Sequence, residues 1–389
     1  MNLTVAIFGA LLLISVLLSE IAHRTVLSLA VLFLVAGFVL GGGGVGVMSF
    51  DTKDPAVGLI AELALFSILF TDGMKAGLSQ IRSIWGLPGR ALLLGMPICF
   101  GLISISARLV VDMPWAHCFL IGAILTPTDP VFASAIIARD EVPSRLRHLL
   151  NVESGLNDGL ALPVVVILLA IASGKHPRPL HEAGELFAGL LLGLLIPLAA
   201  IYLEKIPSLA AEKKYEPLYA FSIGLLVFGV TAATGTNKFI GAFAAGMTIA
   251  SIGPAVKEGF GRFGETVAEL LKLGAVLVFG VTMSSSSAFA AGPRPYIFAA
   301  LAIVVARPAS ILISLIGSKI DRTEALAAAW FGPKGFASIV YGLFVLRSAI
   351  PGAKQDFQLV ALTVVASIIV HSSTDVLVAR RFVDRNGAA

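Results

Sequence analysis

ILTPTDPVFASAII, residues 124–137, lies in a run otherwise apolar enough for a membrane helix, yet Pro127 and Pro130 bracket Thr128 and Asp129. Each proline removes a backbone donor and clashes with the preceding turn. The stretch therefore predicts two half-helices joined by an extended piece whose freed carbonyls are open to a cation. Non-helical backbone at membrane depth is tolerated only where protein or a water-filled cavity surrounds it. A second interruption lies in the other half of the chain, in WFGPKGFASIVYGL, residues 330–343, where Gly332, Pro333 and Gly335 break an apolar helix around Lys334. Two broken segments at corresponding places predict inverted repeats with a site where the broken helices cross. Asp129 is placed to neutralise the positive N-terminal ends of the half-helices and Lys334 the negative C-terminal ends. The blander alternative for Lys334 is a lysine snorkelling near an interface.

The rest of the chain sets these breaks in a membrane. Of its 389 residues 57% are hydrophobic and 13% charged, with a mean hydropathy of +0.93. Soluble domains carry about 25% charged residues, so the composition predicts an all-α polytopic membrane protein. Thirteen apolar segments are expected, near 3–19, 24–42, 56–71, 88–108, 115–138, 149–172, 184–203, 216–234, 239–252, 266–289, 295–317, 324–347 and 356–378. Runs of roughly 17–25 apolar residues can span the hydrocarbon core. The first is flanked by Glu20 and Arg24 without a small-residue cleavage site, so it reads as a retained span. Residues 1–389 read as one transmembrane domain with short loops and no soluble regulatory domain.

With the N-terminus outside and the C-terminus cytoplasmic, the inner loops collect 17 Lys and Arg against 7 on the other side. That is the bias the positive-inside rule expects, and it fits a prokaryotic-type plasma membrane, with an organelle membrane as the alternative. The net charge of +4 thus reports topology and gives no nucleic-acid partner. Cys99 and Cys118 lack metal-ligand spacing, so neither a zinc site nor a disulfide framework is expected.

Ionisable residues at membrane depth cost roughly 2.5–3.5 kcal/mol each on insertion scales. Five call for explanation: Asp129, Glu153, Asp158, Arg307 and Lys334. In NVESGLNDGLALPVVVILLA, residues 151–170, helical spacing stacks Glu153 with Asn157 and Ser154 with Asp158. The four groups cover an arc of roughly 140° and form one polar stripe facing the protein interior. Ser154 and Asn157 alone would serve equally as hydrogen-bonding glue between helices; a carboxylate at Asp158 is too costly for that role. Arg307, in LAIVVARPASILI, is assigned Glu153 as its partner, a structural pair that leaves Asp158 free to titrate.

TPTDP followed about twenty-five residues later by ESGLNDG resembles the cation:proton antiporter superfamily, specifically its NhaP-type sodium/proton branch. The resemblance covers essentially the whole chain. It implies an antiporter, not an enzyme, that serves sodium transport and pH homeostasis without a cofactor. Asp158 is then the ion- and proton-binding carboxylate, with Ser154 and Thr128 as oxygen ligands to Na⁺. Asn157 stands where electrogenic relatives carry aspartate. Asp129 takes the helix-dipole role, and Glu153 with Arg307 the structural ion pair. A homodimer and a six-helix core moving against scaffold and dimerisation helices are also implied. The chain departs from the pattern at Lys334, where many relatives have arginine. It departs again in LFTDGMKAGL, where Thr71 or Asp72 stands near a site-lining acidic position.

Exchange needs one carboxylate for which two cations compete. Proton-loaded and sodium-loaded Asp158 are both neutral, whereas the empty site leaves a buried charge. If only neutral states cross, exchange is one-for-one; Asn157 cannot titrate, so no net charge moves. K⁺/H⁺ exchange by the same fold is the alternative. An intramembrane aspartyl protease using Asp129 and Asp158 is disfavoured because the YD and GxGD contexts are missing. A cation channel would not need a titratable site, and a structural or receptor role leaves the buried charges unexplained.

Overall fold

The computed structural model describes residues 2–18, 28–51, 53–77, 86–129, 142–174, 179–206, 208–209, 212–286, 289, 292–348 and 350–386. The regular structure among the described residues is all helical, with no strand. In chain order the helices are α1 (Asn2–Leu17), α2 (Leu29–Leu40), α3 (Pro55–Lys75), α4 (Leu87–Val111), α5 (Trp115–Leu125), α6 (Ser144–Ala172) and α7 (Pro179–Glu204). There follow α8 (Glu216–Ala233), α9 (Lys238–Ile252), α10 (Pro254–Ser285), α11 (Pro293–Ser314), α12 (Arg322–Trp330), α13 (Phe336–Arg347) and α14 (Ala353–Asn386). Eight of them are long and apolar enough to cross a membrane, and shorter apolar helices accompany them.

Segment twelve is broken as its sequence predicts. α12 ends at Trp330, residues 331–335 are extended, and α13 starts at Phe336. In segment five α5 stops at Leu125 and non-helical backbone follows through Asp129. The second half of that segment, with Pro130, lies outside the described residues, as do the loop cations Arg24, Arg82, Arg139, Lys175 and Arg178.

The helices that precede the two breaks share a second feature. α4 and α11 each contain a π-helical stretch, Ala91–Gly95 and Leu301–Ala306, just ahead of Pro97 and Pro308. A proline cannot bond the carbonyl four residues upstream, and a wider turn relieves the clash with it. Arg307 sits at the point where the second such stretch gives way to regular helix.

Several boundaries differ from expectation, two of them at helix starts near the site. α10 begins at Pro254, twelve residues ahead of the expected start, and α6 begins at Ser144. Helical hydrogen bonding does not stop where apolar sequence stops, and both helices continue as polar-faced turns beyond their greasy stretches.

α3 is the helix on which the site is framed from outside, because it packs against α9 and α10 on one side and α6 on the other. Its approach to α9 is backbone-close. A Cβ on Gly73 would overlap the Phe243 carbonyl, and one on Gly246 would overlap that of Phe70. Small residues that let backbones meet are how membrane helices gain packing energy without a hydrophobic driving force. Phe66, Phe70 and Phe260 fill the space beside this contact.

Candidate functional site

The non-helical residues 126–129 run beside 331–335, and hydrogen bonds join the two segments. Asp129 N–H donates to the Pro333 carbonyl at 3.0 Å, and Ser338 Oγ donates to the Ile124 carbonyl at 2.7 Å. Gly335, at the N-cap of α13, has no side chain with which to cap it; Asp129 supplies the cap from the other segment, accepting from Phe336 N–H at 3.1 Å. A carboxylate there meets the positive end of the α13 dipole, as the sequence predicts for Asp129. The contact is tight enough that a Cβ on Gly335 would fall on the side-chain carbons of Asp129. Gly335→Ala is therefore expected to destabilise the protein by about 1–3 kcal/mol through overpacking, read as a lowered Tm in detergent; an unchanged Tm would show that the two stretches do not meet this closely.

α6 holds the non-helical piece from the other side. Ser154 Oγ donates to the Thr128 carbonyl at 2.7 Å, and Asn157 Nδ2 donates to the same carbonyl at 3.0 Å and to Thr128 Oγ1 at 2.9 Å. Asn157 Oδ1 is buried and takes no hydrogen bond from the described residues. One turn on from Ser154, Asp158 is 7% exposed, and its carboxylate takes no hydrogen bond from the described residues. Its backbone carbonyl accepts from Tyr341 Oη at 3.4 Å, which ties the helix to α13. The structure thus gathers Thr128, Ser154 and Asn157 around one carbonyl, with the buried Asp158 one turn along α6 from Ser154. A hard monovalent cation suits such oxygens. Among the described residues no group of three His, Cys, Asp or Glu has a metal-holding arrangement, so any cation here would rely on hydroxyl and amide oxygen beside a single carboxylate.

Glu153 points the other way around α6 and meets Arg307 in a bidentate pair, with N–O distances of 2.5 and 2.7 Å; both residues are buried. Arg307 Nη2 also reaches the Phe331 carbonyl at 3.4 Å, so the pair bears on the break in segment twelve. The partner assigned from sequence is the partner found.

Lys334 is fully buried, and its Nζ has no hydrogen-bond partner among the described residues. Its backbone N–H donates to Ser367 Oγ at 2.9 Å. The carbonyls at the C-terminal end of α12 are met by other groups. Trp330 O lies 3.0 Å from His371 Nε2, and Phe331 O takes Arg307. Ser367 Oγ lies 3.1 Å from His371 Nδ1. Nδ1 also lies 2.7 Å from the Ser367 carbonyl, so whichever ring nitrogen carries the proton has a carbonyl to donate to, and α14 meets both sides of the break, at Trp330 O and at Lys334 N–H. His371 was missed by the sequence reading; a histidine inside the apolar run QLVALTVVASIIVHSS was the available signal.

Segment three also resolves into two unlike residues. The Thr71 hydroxyl is spent on its own helix, donating to the Ser67 and Ile68 carbonyls. Asp72 instead lies within electrostatic range of Asp158 and Asp129, which makes it the carboxylate of α3 nearest in effect to the site. Cys99 and Cys118 are buried free thiols.

Residues 9–380 match the family model for the transmembrane sodium/hydrogen exchangers. A K(+)/H(+) antiporter NhaP2 of Shewanella sp. (strain MR-4) is 26% identical over 384 residues, covering 96% of this chain and 66% of that protein. A K(+)/H(+) antiporter NhaP of Alkalimonas amylolytica is 23% identical over 372 residues, covering 95% and 65%. The chain therefore spans about two thirds of the length of these relatives. The sodium proton antiporter MjNhaP1 from Methanocaldococcus jannaschii superposes with a TM-score of 0.75 at 19% identity, over 98% of this chain and 99% of that one, which shows a shared fold. With the broken helices, the buried ion pair and a match along nearly its whole length, the chain belongs to the transmembrane sodium/hydrogen exchanger family.

Proposed function

We propose that the protein is a secondary transporter exchanging Na⁺ for H⁺, one for one and without net charge, at Asp158. The observation that carries the reading is a buried carboxylate with no hydrogen bond from the described residues, beside Ser154, Thr128 and the unpartnered Asn157 Oδ1. A bare carboxylate in that position is costly. The site is therefore stable when a proton or a cation occupies it, and each displaces the other. Asn157 carries no proton, so the two loaded forms bear the same charge. Asp129 is committed to the end of α13 and Glu153 to Arg307, which leaves Asp158 as the carboxylate the ions share.

The hydrogen bonds and ion pairs that link α5, α6, α11, α12, α13 and α14 favour a body that moves as a unit. α3, α9 and α10 belong to the scaffold against which it rocks, carrying the site from one face to the other. The remaining elements of the reading are a homodimer in a prokaryotic plasma membrane, with the N-terminus outside and the C-terminus cytoplasmic. Its partners are monovalent cations, protons and the bilayer, and no cofactor takes part.

K⁺/H⁺ exchange is the second reading, favoured by the relatives named K(+)/H(+) antiporters. Proton efflux from acid-loaded proteoliposomes on adding NaCl or KCl separates the two, with the NaCl run repeated under a voltage clamp of valinomycin in matched K⁺. Efflux driven by NaCl and indifferent to voltage is the expected result. Preference for KCl would establish the second reading, and strong voltage dependence would overturn the stoichiometry.

A further inference from the structure

The end of α13 and the start of α14 carry polar side chains that reach across to α3 and α10, and the exchange chemistry uses none of them. Arg347, in the last turn of α13, donates from Nη1 to the carbonyl of Asp54, the N-cap of α3, at 2.7 Å. Its guanidinium lies over Gly58, one turn further along, where a Cβ would fall on Nη2 and Cζ. Gln358, in the second turn of α14, donates from Nε2 to the carbonyl of Ser286, the C-cap of α10. Aromatic rings meet in pairs beside these two bonds. Phe344 of α13 lies 5.6 Å from Phe239 of α9, and Phe357 of α14 lies 5.4 Å from Phe279 of α10, centroid to centroid. Phe279 and Phe357 are fully buried. All four contacts join the helices around the breaks to α3, α9 and α10 at a single face, where α3 and α14 begin and α10 and α13 end. Past the opposite end of α3 the contact is apolar, with Ala76 in one cluster with Val152 and Leu156 of α6.

We infer that Arg347 and Gln358 form a latch that holds the body carrying Asp158 closed against α3 and α10 at this face, so that ions reach the site from here only after both side chains let go. The inference rests on the exchange reading of Asp158 and its moving body. Apolar contact is non-directional and tolerates sliding or rolling. Hydrogen bonds do not, because they weaken steeply once donor and acceptor lose distance or alignment. The two donors therefore fix a position that the aromatic pairs merely favour. Both acceptors are main-chain carbonyls at helix ends, which cannot swing away with the body as side chains could. Arg347 adds a flat fit, since the bare backbone at Gly58 seats a planar guanidinium where any side chain would fill the space. Water takes over both bonds when the latch opens, so its net strength is modest. Losing the charge-assisted bond shifts the balance of closed and open forms by about tenfold. Such a latch biases the exchanger and still opens in every cycle. Its effect is one-sided. Apparent affinity for an ion arriving at the latch face is reduced by the fraction of molecules standing open there, while the other face meets nearly all of them.

Sidedness tests this. Half-saturating concentrations of NaCl and KCl are compared in right-side-out and everted vesicles for wild type, Arg347→Ala, Gly58→Ala and Gln358→Leu. Gly58→Ala keeps the cation and removes its seat. At the latch face, which the proposed orientation puts outside, Arg347→Ala and Gly58→Ala should each lower the half-saturating concentration by about tenfold, and Gln358→Leu by about threefold, a neutral bond being weaker. At the other face it should stay or rise slightly. An unchanged concentration at the latch face, or an equal shift at both faces as a mere structural brace would give, would overturn the inference. A second readout needs no transport. In a Cys99→Ala, Cys118→Ala background, Phe279→Cys places a thiol behind the latch. A membrane-impermeant maleimide added at the latch face should label it about tenfold faster once Arg347→Ala is introduced; equal labelling would refute the latch. Gln358→Leu replaces Arg347→Ala in both experiments if that variant fails to assemble. Wild-type protein that moves no protons would refute the exchange reading, and the labelling comparison would still decide the latch.

Discussion

Asp158→Asn is expected to reduce cation-driven proton efflux to the leak of protein-free vesicles, a loss of at least about two orders of magnitude, because the other carboxylates of the hydrogen-bonded body are already engaged. Asn157 has no proton to exchange, Asp129 caps α13, and Glu153 is held by Arg307. The amide keeps the shape of the carboxylate and removes the cost of a bare buried charge, so folding should be preserved. Thermal unfolding supplies the control. Wild-type protein should gain Tm as NaCl or KCl rises, since a ligand that binds only the folded state stabilises it by mass action. The variant should match or exceed the wild-type Tm without salt and gain nothing specific from the cation. Persisting exchange in a folded Asp158→Asn protein would remove Asp158 from the site and return attention to Asp72.

Much of this arrangement is written in residue types. Pro127 and Pro130 forbid a regular helix, and Gly332, Pro333 and Gly335 do the same in the other half, so both breaks were visible before any coordinates. The Glu153–Arg307 pair was also legible, because two opposite charges at similar depth are stable only together. What the sequence concealed depends on rotation and on contacts between distant turns. Thr71 and Asp72 are adjacent, and only the rotation of α3 shows that one bonds its own backbone while the other lies within electrostatic range of Asp158. The expected segment 266–289 put Glu269 and Lys272 in its first two turns. The helix runs from Pro254, and Lys272 lies well inside it. His371 finds Trp330 across forty-one positions of sequence, and no local pattern encodes that meeting. Likewise the expectation that Lys334 would meet the C-terminal carbonyls could be drawn from charge alone, whereas His371 and Arg307 reach those atoms.

The Glu153–Arg307 pair carries the second major expectation, one of stability and not of transport. Arg307→Ala strands a carboxylate that is 2% exposed and withdraws the donor from the Phe331 carbonyl. Removing one member of a buried pair costs about 3–5 kcal/mol, mostly the penalty of the charge left behind. For a chain of this size that corresponds to a fall in Tm on the order of 5 °C, accompanied by poor recovery of assembled protein. Glu153→Gln should lose a similar amount, since it leaves the guanidinium without a counter-charge. The double variant Glu153→Leu with Arg307→Met discriminates between glue and machinery. Well-packed apolar residues can replace a buried pair at little cost, so the double variant should regain most of the lost Tm. If it also regains exchange, the pair serves only to hold α6 against α11 and the break in segment twelve. If stability returns and exchange does not, the pair must shape the field at Asp158, four residues along the same helix. A single Arg307→Ala variant as stable as wild type would show that Glu153 finds another partner, and the pair would lose its place as the brace of the site.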